Sequence, residues 1–493
     1  MTSSVHSMGH ARRIPPPLGW AGGAWGLIGV SLALLHRPSE WQASVGVLML
    51  FQAFCGVLTW HRFRLTRDAV LPDFLTVMLF NLFITKTVSA LGLFVRGNAE
   101  AFGELGQLVL TRESVPLEYQ FQAELVFLLA AVVFTGVWRA LEGRRLRALW
   151  HQPPSKIVWA VYGLTGVGYL GFVLAGFGAS MGMTEELLRL FAIGGLAVLL
   201  GGRGPYAIGR RKSWFAMAGL VPFLVLALRS GMKGEVALVM LPILLPIFRR
   251  MTVVGFAFLC SFMLFVVLFV FPFSEAWRQA NWSSWHGHEN ADIPAVASRV
   301  FDQWANDGLV ETATQSLDNW AARGSSAEAG GLVMQLADRD GFIGPVLIEG
   351  LATIFVPRVL WPDKPRYTPG AWFTWYLGQA SSPETATTST AMMLPTELYW
   401  MFGLLGVVLG MAFLALLYFV VWERLRRLSR IGLVPMFALF ALLARSGGGM
   451  EEIHTIDAVS VPVILLVNVI VFDWLQKLSM PGLSVRPVPR ARP

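Results

Sequence analysis

The chain has 493 residues, of which 55% are apolar and only 14% charged, against about 25% charged in ordinary soluble domains. With a mean hydropathy of +0.57, these values exclude a soluble enzyme, a disordered chain and a fibre, and fit a polytopic membrane protein. A net charge of +8 would point to nucleic acid in a soluble protein, so it has first to be read against membrane topology.

The first 17 residues are polar, carry Arg12 and Arg13, and lack a signal-peptide pattern. They are expected to form a cytoplasmic tail. Apolar runs then follow at about 18–35, 42–60, 69–95, 124–141, 157–178, 187–202, 213–229, 234–248, 251–273, 396–422, 431–444 and 456–475. A spanning helix needs roughly 17–25 residues, so 234–248 and 431–444 are marginal. The expected organisation is nine helices over 18–273, a large loop over 274–395, three helices over 396–475 and a second cytoplasmic tail over 476–493. Cys55 and Cys260 both lie in apolar runs, which argues against a disulfide framework.

The charges agree with this count. With the N-terminus inside, 24 of the 39 Lys and Arg fall in cytoplasmic segments, whereas the short outer loops hold only Arg37, Arg96, Arg112, Arg229, Lys233 and Arg445. That asymmetry follows the positive-inside rule, so the basic character orients the chain and no nucleic-acid partner is expected. Lys86 and Arg189 fall at or near bilayer depth, where a charge needs a partner or a water-filled cavity.

The 274–395 loop lies outside on this reading. It has seven basic and thirteen acidic residues and eight of the nineteen Trp. A loop this long should contain helices. Val296, Val300 and Trp304 recur at helical spacing within 292–307, which predicts an amphipathic helix. The apolar stretch 342–356 carries Glu349 and is too short to span; it is expected on or in the membrane surface. Indole rings stack on sugar faces and also anchor membrane interfaces. Trp361 and Trp372 are the glycan-stacking candidates because of their neighbours.

Four segments carry chemistry. VPRVLWPDKPRYTPGAWF (356–373) places Arg358, Lys364 and Arg366 on a backbone held extended by Pro357, Pro362 and Pro365. Three cations on a rigid segment suit a diphosphate, Arg by a planar fork and Lys as a point charge. RSGMKGEVALVMLPILLP (229–246) adds Arg229 and Lys233 beside Gly231 and Gly234, and the following helix N-terminus favours an anion. TSTAMMLPTELYWMFGLLGVVLG places Glu397 in the first turn of a long apolar helix, where it either satisfies the dipole or takes a proton from an acceptor hydroxyl. ARSGGGMEEIHTIDAV (444–459) gathers Arg445, Glu451, Glu452 and His454, able to bind phosphate and shuttle protons, with spacing that shows no closed metal site. No GxxxxGK[ST], HExxH or GxSxG element is found.

VPRVLWPDKP closely resembles the PR-x-x-WP-x-KP element of bacterial oligosaccharide repeat-unit polymerases, the Wzy-type O-antigen and exopolysaccharide polymerases. RSGMKGE is similar to that group's GxRG motif, with Lys233 where Arg is usual. The Glu397 segment resembles its element of a Glu followed by an aromatic and a Phe-Gly pair, here Tyr399, Phe402 and Gly403. The match covers about 220–450. The resemblance implies an all-α, GT-C-like integral membrane protein of about twelve helices with one large extracytoplasmic loop, in the bacterial inner membrane with both termini cytoplasmic. It further implies a glycosyltransferase that joins undecaprenyl-diphosphate-linked oligosaccharide units at the outer face. On this reading Arg229, Lys233, Arg358, Lys364, Arg366 and Arg445 hold the diphosphate, and Glu397, with His454 or Asp363 as rivals, is the base. No cofactor and no metal are expected. The partners are the lipid-linked oligosaccharide and the bilayer, with a chain-length regulator and a flippase as further candidates. A flippase or transporter of lipid-linked glycan and an O-antigen-type ligase are the alternatives.

Overall fold

The computed structural model describes residues 51–62 (except 53 and 60), 73–97, 115–142, 217–229, 264–281, 292–312 (except 310), 326–351, 369–383, 392–428 and 454–479, with isolated positions between them. Among the described residues every regular element is helical. In chain order these include α1 (Phe74–Gly97), α2 (Leu117–Glu142), α3 (Val221–Arg229), α4 (Phe271–Asn281), α5 (Ile293–Asp307), α6 (Ser326–Asp340), α7 (Pro369–Tyr376), α8 (Leu394–Leu428) and α9 (Thr455–Ser479). The apolar runs expected at 18–35, 157–178, 187–202, 234–248 and 431–444 lie wholly or almost wholly outside the described residues, as does Arg189.

Two of these helices, over 118–142 and 394–428, are long and apolar enough to cross a membrane. The surface of α8 supports a lipid neighbour. Leu405, Leu409, Phe413, Leu416 and Val420 are all exposed and recur every three or four residues, while Val407, Met411, Leu414, Tyr418, Val421 and Leu425 on the other side are buried. The exposed stripe is about 22 Å long at 1.5 Å per residue, most of a hydrocarbon core of about 30 Å. In water so long an apolar stripe would be an aggregation site.

α2 packs against both α8 and α6, and α9 packs on α8. Small residues permit the closest approach. A Cβ on Gly331 of α6 would lie 2.8 Å from the Gln120 backbone nitrogen, and one on Gly330 would lie 2.8 Å from Ala123 Cβ. α2 begins about two turns before its apolar run. Gln120 and Glu124 hide the start by being polar, yet both are buried.

At one end of α2 an aromatic cluster of Phe74, Phe134, Trp138 and Tyr418 joins α1, α2 and α8, with ring centroids 4.8–6.4 Å apart. Beside it the buried Arg62 forms ion pairs with Asp73 at 2.7 Å and with Glu142 at 3.0 Å. Asp73 also accepts the Thr76 N–H at 3.0 Å, capping the first turn of α1. Arg62, one of the 24 basic residues assigned above to cytoplasmic segments, therefore also has a structural role.

Lys86 of α1 is wholly buried against Glu124 of α2, 2.9 Å away, with its ammonium 3.7 Å from the Phe127 ring centroid. A charge at this depth persists because it is paired. Lys86→Ala would leave a carboxylate in the core, and a loss of about 3–5 kcal/mol is expected. Thermal unfolding in detergent checks this, with Lys86→Met/Glu124→Leu expected to recover most of the loss. An unchanged midpoint for Lys86→Ala would refute a structural role for the pair.

The large loop does contain helices. α5 is the amphipathic helix expected at 292–307, with Val296 and Val300 buried and Asp292 accepting the Ala295 N–H at 2.9 Å. α6 goes further and packs into the bundle. Within the stretch 342–356, expected on or in the membrane surface, the described residues 342–351 hold a short 3-10 turn, Gly344–Ile348, whose Leu347 is fully buried. The turn packs against α8 and α9.

α8 has one sharp break. Gly403 has φ 68° and ψ −159°, a conformation open to glycine for want of a Cβ. The break folds the short leg, 394–402, back against the long leg. A Cβ on Gly406 would lie 2.5 Å from the Leu398 carbonyl oxygen, and one on Gly410 2.8 Å from the Leu398 side chain. The break frees the Trp400 carbonyl, which accepts the Ile343 N–H at 3.0 Å. Phe342 fills the space beside Gly403 and meets Tyr399 edge-on at 5.9 Å.

Candidate functional site

The short leg of α8 carries Glu397. It starts from Met393, whose φ of 67° is a strained left-handed conformation for a residue with a Cβ. Thr396 Oγ1 donates to the carbonyls of Met392 and Met393, the latter at 3.0 Å, and the Glu397 N–H donates to Met393 at 2.9 Å. Thr396 and Glu397 are fully buried, so the first turn is held from within and without.

Glu397 meets His454 and Thr455 at the start of α9, 57 and 58 residues away in sequence. Its Oε1 accepts from His454 Nδ1. Its Oε2 accepts the Thr455 N–H and the Thr455 hydroxyl, each at 2.7 Å. The backbone N–H is one of the unpaired donors of a helix N-terminus, so Glu397 caps α9 from another helix. His454 is the residue before α9, its carbonyl accepting the Ala458 N–H at 2.9 Å.

These contacts fix the imidazole. A carboxylate accepts only, so Nδ1 carries the proton and the neutral ring presents Nε2 as the free base. Burial works against the protonated ring, but the hydrogen bond and charge of Glu397 and the charge of Asp457 prevail and raise the His454 pKa above its ordinary value. The Glu397 side chain has no exposed surface, whereas that of His454 keeps 14%. An imidazole held by a buried carboxylate is the arrangement that the base and its orienter, the last two members, adopt in a nucleophile–base–orienter relay.

Beside the short leg lies an aromatic wall. Trp400 is fully buried and meets Tyr376 at 5.0 Å and Trp372 at 5.9 Å. Trp372 stacks on Tyr376 at 5.2 Å, so one of its faces is occupied. Trp361 and Trp375 are 40% and 39% exposed. At the end of α6, Tyr119 donates to Asp338 at 2.9 Å and Tyr376 to Asp340 at 2.7 Å. Hydrogen bonds from Arg339 and Tyr376 hold the Asp340 carboxyl down at about 2.

Of the residues singled out from the sequence, the structure brings Glu397 and His454 together. Arg229 ends α3. Lys233, Arg358, Asp363, Lys364, Arg366 and Arg445 lie outside the described residues. Among the described residues no group of three or more His, Cys, Asp or Glu could hold a metal ion. Sequence reasoning missed Thr455, whose only signal is its place at the first position of the helix after His454.

A family described as "Domain of unknown function (DUF8712)" matches residues 170–444, more than half of the chain. The chain belongs to this family. The DUF8712 match takes in Glu397 and five of the proposed cations, Arg229, Lys233, Arg358, Lys364 and Arg366, and ends just before Arg445 and His454. No curated protein and no solved structure matches the chain.

Proposed function

We propose that the protein is a polytopic, GT-C-like glycosyltransferase of about twelve helices in the bacterial inner membrane that polymerises undecaprenyl-diphosphate-linked oligosaccharide units at the outer face. The observation that carries the reading is the Glu397–His454 pair. Two residues picked from the sequence as rival bases form one unit, with Glu397 on the helix whose first turns carry the polymerase-like element and His454 at the start of α9.

The pair also divides the labour. Glu397 has both oxygens engaged and no exposed surface, so it positions. His454 is the base, and Asp363 is left as its rival. In the reaction the acceptor hydroxyl oxygen attacks the anomeric carbon of the donor glycan, and its proton passes to His454 Nε2. The bond from that carbon to the diphosphate oxygen breaks, and the lipid diphosphate leaves with the electron pair. Arg229, Lys233, Arg358, Lys364, Arg366 and Arg445 are the cations proposed to meet its growing charge, the kind of stabilisation that often dominates catalysis.

Arg358→Ala is expected to leave an inserted protein whose chain-extension rate falls by about 10²–10³-fold, the size of losing one such donor. Cells carrying it should accumulate carrier bearing single repeat units, read from the length distribution of the glycan. Long chains at normal abundance would refute the role of Arg358.

A further inference from the structure

α5 has three sides. Val296, Val300 and Trp304 face the protein, with Val296 and Val300 buried. At 100° per residue, Arg299, Asp302 and Asn306 share one exposed flank, while Pro294, Phe301 and Ala305 share the other. The second flank is apolar and 51% of Phe301 is exposed.

The neighbour of that flank gives its depth. Trp304 Nε1 donates to the Leu268 carbonyl at 3.0 Å, inside a π-helical turn, Val266–Val270, that leaves carbonyls without their usual partners. Phe269 lies 6.2 Å from Phe301 and 5.4 Å from Phe265. The apolar run ends at Phe273, four residues or about 6 Å beyond Phe269 along the axis. The exposed face of Phe301 is therefore level with the last apolar turn, and continuous with the exposed Leu264 and Phe265 on the same run.

We infer that α5 is an interfacial helix whose Phe301 flank rests in the boundary between headgroups and acyl chains, its partner being lipid. The inference rests on the reading of 251–273 as a membrane span. Amphipathic helices of this kind bury an apolar side roughly 5–10 Å into that boundary while the charged side stays in water, and Trp304 occupies the depth that interfacial indoles favour. A protein occupant is disfavoured because it would have to sit beside the surface formed by Leu264 and Phe265. The consequence is that the large loop is held down on the bilayer, where a lipid-linked substrate travels.

The test places the photoreactive p-benzoylphenylalanine singly at Leu264, Phe301 and Asp302 of the full chain in phosphatidylethanolamine–phosphatidylglycerol vesicles. Irradiation is followed by mass analysis of adducts. Lipid adducts are expected at 264 and 301, with their loss at 302. Lipid at 264 but none at 301 would overturn the interfacial helix alone, as would a crosslink from 301 to a second copy of the chain. No lipid at 264 would overturn the membrane reading of 251–273 and the inference with it.

Discussion

Replacing His454 with alanine is expected to lower chain extension by about 10²–10⁴-fold, the usual contribution of a positioned acid–base group. The fold should survive the change. The Thr455 N–H and hydroxyl still satisfy Glu397 Oε2, and the capping of α9 stays in place. Turnover of lipid-linked repeat units, measured in membranes with matched protein amounts, distinguishes a chemical role from a loss of folded protein. Normal turnover in His454→Ala would remove His454 from the mechanism and leave Asp363 as the candidate base.

Glu397→Gln is expected to cost nearly as much, for a different reason. The amide keeps the shape but loses the charge. It can present either an oxygen or an NH2 group to Nδ1, and the second forces the imidazole into the wrong tautomer. Such tautomer errors cost up to about 10⁴-fold. The pH profile carries a second signature. His454 must be neutral to accept a proton, and Glu397 raises its pKa. Removing that charge lowers the pKa, so the rising acid limb of the profile should move to lower pH in Glu397→Gln. If Glu397 only capped α9, stability would fall while the limb stayed where it was.

The sequence and the structure agree where polarity alone decides. The apolar runs at 69–95 and 456–475 coincide with α1 and α9, and the spacing of Val296, Val300 and Trp304 marked α5. They part where tertiary contacts override polarity. The first turns of α2 look soluble because Gln120 and Glu124 are polar, but glycine-bearing α6 buries one and Lys86 neutralises the other. The break in α8 was present in the sequence as the Phe402–Gly403 pair, yet a lone glycine in an apolar helix carries no sign of its φ. Only the fit of Phe342 and the bond from Ile343 to Trp400 reveal it. Glu397 and His454 were each legible as chemistry. Their meeting was not, because 57 residues separate them and no local pattern encodes the packing of α9 against α8.

The most direct test of the central claim is reconstitution of the purified full chain in vesicles with an undecaprenyl-diphosphate-linked oligosaccharide as the sole glycan. Product length and transbilayer movement of the lipid are followed together. Polymerisation predicts glycans of more than one repeat with matching release of undecaprenyl diphosphate, and loss of both in His454→Ala. Movement of the lipid across the bilayer with no chain extension would contradict the account and identify a transporter instead.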